Sequence, residues 1–419
     1  MARTVHIIGA GLAGLSAAVK LAQASTAVIV HEATRQAGGR CRSYPDAVTG
    51  LTIDNGNHLL LSGNRAALDH LRTIGTEAMM VGPNKAAFPF ADLASGQRWT
   101  IEMSDGRIPW WIFDPKRRVP GTVAKDYLTM APLLWASADA TVGEVIPCKG
   151  ALYDRLVQPL LLAALNVDPP VGSAALAGAI IKETLAAGGQ ACRPLIARDG
   201  LTPTFIDPAI RFVEARGGEV RLEHELRGLT MSETGVASLE FADGSVPISR
   251  DDVVILAVPP YAARPLVPGL EVPSTFHPIV NAHFRIVPPK SVPPIVGVLN
   301  GTVEWVFAFE DRVSVTISAG DRLMEMPREA LARTIWDEVA RVTGLPTELP
   351  VWQIVRERRA TFAATPGENR KRPQAQTVWP NLVLAGDWTA TGLPATIEGA
   401  IRSGHRAAQC VMQVNKSTA

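Results

Sequence analysis

The chain has 419 residues, of which 47% are hydrophobic and 19% charged, and its formal net charge at pH 7 is +1. This composition is typical of a globular protein with room for two domains, and the small net charge argues against a nucleic-acid partner. The longest apolar runs are shorter than the roughly 20 residues that span a bilayer. The four cysteines form no CxxC motif, so neither a zinc site nor a disulfide framework is expected.

The first forty residues carry a dinucleotide-binding pattern. A buried strand over residues 4–8 runs directly into a GxGxxG motif, which opens an apolar helix over residues 15–23. In this context Gly9 permits a tight turn, Gly11 lets the backbone approach a pyrophosphate, and Gly14 lets the helix pack on the strand. The helix N-terminus then faces the phosphate charge. The predicted phosphate-binding residues are Gly9, Gly11, Leu12, Ala13 and Gly14.

A second strand over residues 27–30 ends just before Glu32, which lies 18 positions after Gly14. A carboxylate at this distance is typical of an acceptor for ribose hydroxyls, and we assign Glu32 and its neighbour Ala33 to that end of the site. The sequence Gly38-Gly39-Arg40 follows, and with it the opening resembles that of the flavin amine oxidase and carotenoid desaturase superfamily. The resemblance implies FAD, with Gly39 beside the pyrophosphate and Arg40 facing it; the alternative for Arg40 is a solvated surface side chain.

The next segment contains a short strand, a glycine turn and an apolar run, before a helix over residues 64–74. Carotenoid desaturases have a similar pattern where the chain passes the flavin ring, and this implies cofactor contacts from Asn55, Gly56, Asn57 and His58. Two interpretations of His58 stay open. It faces the isoalloxazine or the substrate, or it is a histidine whose ring is satisfied by the backbone.

The middle of the chain predicts a second domain. Three helices are expected over residues 119–140, 153–165 and 173–187, and residues 280–318 alternate as the strands of an antiparallel sheet. These helices are either plain core or an entrance for an apolar substrate that lies against lipid.

The predicted fold class is α/β, with a Rossmann-like FAD-binding domain of the amine oxidase and phytoene desaturase type. We assign residues 1–75, 200–262 and 370–419 to this discontinuous domain. Residues 76–199 and 263–369 are assigned to an interleaved α+β substrate-binding domain that contains the antiparallel sheet.

The nucleotide domain resumes with a helix over residues 202–216, a strand over 226–229, a hairpin over 236–248 and a buried strand over 252–258. In the superfamily that the chain resembles, a residue after a Gly-Gly pair and its strand holds the adenine through its backbone. The resemblance assigns that contact to Leu226.

The closing segment is the second strong signal. A strand over residues 382–385 ends in Gly386 and Asp387, and the carboxylate of Asp387 suits the ribityl hydroxyls. A helix then begins near Ile397, and its first amides suit the flavin N1 and C2 carbonyl, where negative charge develops on reduction. The alternative is an ordinary junction between strand and turn. The predicted cofactor contacts of this segment are Gly386, Asp387, Pro394, Thr396, Ile397 and Glu398.

The sequence before the last helix separates branches of the superfamily. Monoamine oxidases place an aromatic residue there that helps to orient the amine, whereas this chain has Leu393, Pro394 and Ala395. The chain resembles the isoprenoid branch, and most of all the bacterial squalene-associated flavoproteins of hopanoid biosynthesis. That resemblance implies reductive removal of the hydroxyl group of hydroxysqualene to give squalene. A carotenoid desaturase, an amine oxidase and a flavin-binding partner without activity are the alternatives.

This function predicts the partners. The substrate is a long apolar isoprenoid, and His58 or an acid of the substrate domain protonates its hydroxyl group. The chain has no second GxGxxG for NAD(P)H, so an external electron donor is expected. We expect a cytoplasmic protein without a signal peptide, either free or in peripheral contact with the inner face of the cytoplasmic membrane.

Overall fold

The structure, a computed structural model, describes residues 3–417 and the side chains of residues 3–413. In that range the strands are β1 Thr4–Ile8, β2 Ala27–His31, β3 Ser43–Pro45, β4 Thr52–Asp54, β5 Leu60–Leu61, β6 Met80–Val81, β7 Ala87–Asp92, β8 Arg98–Glu102, β9 Pro194–Ala197, β10 Glu219–Arg221, β11 Gly228–Ser232, β12 Gly235–Phe241, β13 Gly244–Pro247, β14 Val253–Leu256, β15 Phe276–Arg285, β16 Ile295–Leu299, β17 Trp305–Ala308, β18 Arg312–Ile317, β19 Trp352–Phe362 and β20 Leu382–Leu384. The α-helices are α1 Leu12–Gln23, α2 Arg65–Ile74, α3 Val142–Val145, α4 Gln158–Leu165, α5 Ala174–Glu183, α6 Asp207–Glu214, α7 Pro260–Leu266, α8 Arg328–Thr343, α9 Pro366–Arg370 and α10 Ile397–Ser417.

A five-stranded parallel sheet lies beneath the predicted nucleotide site. Its strand order is β10-β2-β1-β14-β20, and every neighbouring pair is parallel. Val5 and Ile7 of β1 pack in the same apolar cluster as α1 and α10, while Ile8 belongs to the cluster on the opposite face. Because both faces are covered, the strands are almost continuously apolar. All five strands come from the three segments predicted to form the FAD-binding domain.

An antiparallel sheet, β11-β12-β13, covers the opposite face of the parallel sheet. Leu239 and Phe241 of β12 share an apolar cluster with Leu256 of β14. The strand predicted over residues 226–229 begins only at Gly228, where it first pairs with Glu240. The residues before it run from β10, which ends at Arg221, to this sheet.

The predicted substrate domain contains a seven-stranded sheet of order β19-β15-β18-β17-β16-β7-β8. Its pairs are antiparallel except for β7 with β16. Val280, Val306 and Val315 are buried against α8, including its fully buried Trp336. The opposite face of this sheet is turned towards the rest of the molecule. The domain bounds themselves stay a prediction.

The helical segment differs from its predicted form. The helix expected over residues 119–140 is a 3₁₀ helix over Ala124–Trp135, with Pro132 inside it. Pro132 removes a backbone donor from the middle of the segment, which disfavours a regular α-helix. The helix expected over residues 173–187 is α5, which ends at Glu183. No helix in the described range is both long enough and apolar enough to cross a membrane.

Candidate functional site

The glycine loop between β1 and α1 has the backbone that the motif predicts. Gly9 has a φ of +106°, and a Cβ there would lie 2.7 Å from the carbonyl oxygen of Ala257. A Cβ on Gly14 would lie 1.9 Å from the carbonyl oxygen of Gly9, so the helix can approach the strand only with glycine at this position. A Cβ on Gly11 would meet nothing within 4 Å. Gly11 therefore faces open space at the N-terminus of α1, beside Leu12 and Ala13.

The Gly38-Gly39-Arg40 segment closes against this loop. The Gly38 amide donates to the Ala10 carbonyl at 2.9 Å, and Gly11 and Gly38 form a parallel bridge. A Cβ on Gly39 would lie 3.7 Å from the Gly11 Cα. Gly11 is the N-cap of α1 and offers no side chain to the first amides of the helix. The two loops thus form a backbone cradle that fits a pyrophosphate.

Glu32, the predicted ribose acceptor, is bonded to the backbone of the glycine loop. Its Oε2 accepts a hydrogen bond from the Ala10 amide at 2.8 Å, and its Oε1 accepts from the Thr34 amide at 3.0 Å and the Thr34 hydroxyl at 2.8 Å. An ionised carboxylate has about four lone-pair sites, so acceptor capacity remains for ribose hydroxyls. The His224 amide donates to the Glu32 carbonyl at 2.8 Å. This bond brings the segment that contains Leu226 to the turn at Glu32 and Ala33.

The opening and closing motifs meet at an ion pair. Arg40 Nη2 donates to Asp387 Oδ1 at 2.8 Å, and Arg40 Nη1 donates to the Ala360 carbonyl at 2.6 Å. Gly386, before Asp387, has a φ of +148°, and a Cβ there would lie 2.2 Å from Nε1 of Trp388. Only glycine therefore allows this turn. The buried Asp387 is held at the same cradle as Arg40, where a ribityl chain would follow the pyrophosphate.

The start of α10 is capped by Thr396, whose Oγ1 accepts from the Gly399 amide at 3.0 Å and contacts the Pro394 carbonyl at 3.4 Å. The amides of Ile397 and Glu398 stand in the first turn, where a helix has no acceptors of its own for them. Glu398 uses its carboxylate elsewhere, because its oxygens accept from the Ala66 and Ala67 amides at 3.1 and 2.8 Å. A cofactor contact from Glu398 therefore comes from its backbone.

The turn at residues 55–58 is held from the seven-stranded sheet. Asn281 Oδ1 accepts from the Asn57 amide at 3.3 Å, and its Nδ2 donates to the Asn55 carbonyl at 3.4 Å. Asn57 Nδ2 donates to Thr316 Oγ1 at 3.2 Å. A Cβ on Gly56 would lie 3.3 Å from Asn281 Nδ2, so this glycine lets the turn lie close to the sheet.

His58 follows that turn. Burial and, to a smaller extent, the nearby charge of Arg40 lower the pKa of His58 to about 4. The imidazole is therefore neutral at pH 7. A neutral ring can donate one hydrogen bond and accept another, but it is not a ready source of protons.

Sequence reasoning missed three side chains that shape the site: Asn281, Thr316 and Arg372. The Nη2 atom of the buried Arg372 donates to the carbonyls of Asp387 and Thr389 at 3.1 and 2.5 Å and to Thr391 Oγ1 at 2.8 Å. Burial lowers the pKa of Arg372 to about 10, although Asp387 opposes this shift. Arg372 lies in the basic run Arg370-Lys371-Arg372, which is typical of an exposed segment. Asn281 could have been identified because it is a polar residue in a strand that is buried on both faces.

The residues around the glycine cradle fit FAD. The cradle is built from glycines, Glu32 and Asp387 are acceptors beside it, and the capped start of α10 and the turn at residues 55–58 offer backbone groups. A glycine cradle for a diphosphate and carboxylates for ribose and ribityl hydroxyl groups are what FAD would require.

Comparison with known proteins agrees with this geometry. Residues 12–412 match the model of the family described as flavin containing amine oxidoreductase. The chain therefore belongs to that family, which confirms the predicted fold class, the FAD cofactor and an oxidoreductase. The structure of a putrescine oxidase bound to putrescine has the same fold, with a TM-score of 0.71, 19% identity and 99% of each chain covered.

The curated relatives are more specific. The hydroxysqualene dehydroxylase of Rhodopseudomonas palustris is 58% identical over 100% of both chains. The protein of that name from Zymomonas mobilis is 47% identical, covering 97% of this chain and 98% of its own. A probable zeta-carotene desaturase from Synechococcus elongatus is 20% identical over 98% of both chains.

Proposed function

We propose that the protein is an FAD-dependent oxidoreductase that converts hydroxysqualene to squalene by replacing the hydroxyl group with hydrogen. The observation that carries this proposal is the 58% identity over the whole chain to a protein named for that substrate. Bound reduced flavin supplies a hydride for the carbon that loses its hydroxyl group. The protein supplies two further requirements of the reaction, which are apolar surroundings and a proton.

The first requirement is a group of apolar side chains that excludes water beside the flavin ring. Leu59, directly after His58, packs against a buried cluster of Ile196, Ile295 and Phe307, and Trp305 packs on the same cluster. Leu59 and Trp305, which are only partly buried, offer an apolar surface to an isoprenoid chain. They also keep water away from a carbon that has lost its hydroxyl group and would otherwise recapture it.

The second requirement is a proton for the leaving hydroxyl group. Glu304 is the acid that fits, because burial raises its pKa to about 7 even though bonds from Ser318 oppose that shift. Its Oε2 accepts from the Ser318 amide at 2.8 Å. Ser318 directly follows β18, two residues after Thr316, whose hydroxyl group accepts a hydrogen bond from Asn57. In this proposal Glu304 gives the proton, and the neutral His58 donates a hydrogen bond that orients the hydroxyl group.

The proposal also includes two partners. A separate electron donor recharges the flavin, which agrees with a chain that has one GxGxxG motif. The substrate is an apolar C30 molecule that resides in membranes, so the enzyme works in peripheral contact with the cytoplasmic membrane.

Incubation of the purified holoprotein with a panel of C30 and C40 isoprenoids, under reducing and oxidising conditions, tests the function by product mass. We expect squalene from hydroxysqualene under reducing conditions only. Desaturated product from phytoene under oxidising conditions would instead show a carotenoid desaturase, and peroxide release with polyamines an amine oxidase. Bound flavin with no turnover on any of these compounds would show a flavin-binding partner.

A further inference from the structure

Six large apolar side chains are exposed within one short stretch of the chain. Thirteen such side chains are exposed in the described range, and these six include each exposed tryptophan and phenylalanine among them. Leu128 is 71% exposed and Trp135 79%. Soluble monomers rarely leave a large apolar patch in solvent unless it binds something. We call this set the aromatic face, and its members are Ile108, Trp110, Phe113, Val123, Leu128 and Trp135.

The short helices that carry much of the aromatic face are anchored by buried side chains. A 3₁₀ helix has three residues per turn, so Tyr127, Met130 and Leu133 of Ala124–Trp135 form one stripe, and all three are buried. Leu128 and Trp135 lie on the other two stripes. Trp111 meets Tyr127 edge to face, with ring centroids 5.2 Å apart, and this contact packs the short helix Trp110–Phe113 against the longer one. The exposed side chains are therefore fixed by the core beneath them.

The charge around the aromatic face is mainly basic. Residues 105–135 carry five basic side chains and three acidic ones, which are Asp105, Asp114 and Asp126. Asp105 is the exposed acid of this stretch. The exposed basic side chains that flank the face are Arg107, Lys116 and Lys125.

We propose that the aromatic face docks the enzyme on an anionic phospholipid surface. The aromatic side chains enter the headgroup region, and the basic side chains contact lipid phosphates. A second copy of the chain fits less well, because two basic faces repel each other. The proposal rests on the proposed function in one respect: a docked enzyme takes its substrate from the bilayer without passing it through water.

Flotation of the FAD-loaded protein with vesicles tests the docking. The vesicles are pure phosphatidylcholine or a mixture with phosphatidylglycerol. One variant carries Trp110→Ser and Trp135→Ser, and another carries Lys116→Gln and Lys125→Gln. A control carries Val287→Ser and Val378→Ser, which change two side chains that are 73% and 87% exposed outside this face.

We expect the wild type and the control to float with the anionic vesicles. The lysine variant should bind them about fivefold more weakly for each charge removed. The tryptophan variant should no longer float with the anionic vesicles. Wild type that fails to float, or a tryptophan variant that floats as well as wild type, would overturn the docking. The docking would also be overturned if, without lipid, the wild type is a dimer and the tryptophan variant is a monomer. A second copy of the chain would then cover the face.

Turnover separates this proposal from the proposed function. With hydroxysqualene in detergent micelles, all variants should turn over at the wild-type rate. With hydroxysqualene in anionic vesicles, turnover should fall in the order of the flotation. If flotation follows the expected pattern and no form of the protein converts hydroxysqualene in either preparation, the function is wrong and the docking stands.

Discussion

Arg40 and Asp387 are 347 positions apart in the sequence, yet Nη2 of the arginine donates to Oδ1 of the aspartate at 2.8 Å. The arginine completes the opening motif and the aspartate begins the closing one. The ion pair joins both ends of the chain at one cofactor cradle. Asp387 is held by its backbone as well, since Arg372 donates to its carbonyl at 3.1 Å.

Replacing Arg40 with Leu should weaken FAD binding by about tenfold or more, because a hydrogen bond to a charged group contributes roughly 1.5–3 kcal/mol. The change also leaves the Asp387 carboxylate buried without its partner. Titration of the apoprotein with FAD measures the affinity. Arg198→Gln, which breaks an exposed pair with Asp199, is the control and should keep wild-type affinity. Equal affinities for the two variants would remove Arg40 from the site.

Replacing Gly11 with Ala separates an effect on FAD binding from an effect on folding. The added Cβ meets no protein atom within 4 Å, so the thermal stability of the apoprotein should not change. The methyl group would stand where the pyrophosphate approaches the backbone, and FAD affinity should fall by about tenfold, or about 1.4 kcal/mol. Gly367→Ala, where a Cβ also meets nothing within 4 Å, is the matched control. Retained affinity in the Gly11 variant would place the pyrophosphate elsewhere.

The stability of the protein should depend on pH through Glu304. The folded-state pKa of about 7 lies above the value of 4.5 expected when the chain unfolds. As pH rises between these values the unfolded state loses its proton first, so the contribution of Glu304 to stability falls, by about 3 kcal/mol at most, and is level above about pH 7. Histidines such as His58, whose pKa is lowered by burial, contribute in the opposite direction over this range, so the effect is read as a difference between variants. The difference in unfolding free energy between wild type and Glu304→Gln should change with pH by that amount, and the difference between wild type and Glu310→Gln, at an exposed acid, should not. The free energy of unfolding in urea at several pH values measures the effect.

Turnover should depend on the same proton. Because Glu304 must be protonated to act as an acid, kcat should fall as pH rises through about 7. Glu304→Gln cannot give a proton, and its kcat should drop by about 100-fold with no change in FAD content. A glutamine variant with the wild-type kcat and pH profile would show that Glu304 has only a structural role.

His58 is tested by replacement with Ala. The neutral ring is proposed to orient the hydroxyl group, so turnover should fall by about tenfold while bound flavin is retained. His277→Ala, which removes a half-buried ring paired with the exposed Asp321, serves as control. Unchanged turnover in the His58 variant would exclude it from the mechanism.

The parts of the site that could be predicted are those fixed by neighbouring residues. The turn at Gly9 and the carboxylate at Glu32 belong to one strand-helix-strand unit, so their spacing carries the information. The contact from Asn281 to the Asn57 amide spans 224 positions, and nothing near either residue in the sequence announces it. The burial of Arg372 could not be predicted for a related reason. Its partners lie in residues 387–391 and contact it only in the folded chain.

The central claim is tested most directly by one anaerobic mixing experiment. Holoprotein with its FAD fully reduced is mixed with hydroxysqualene, and squalene is counted against flavin oxidised. We predict one squalene formed for each flavin oxidised, and none when the flavin is oxidised at the start. Flavin that stays reduced while hydroxysqualene remains unchanged would contradict the assignment.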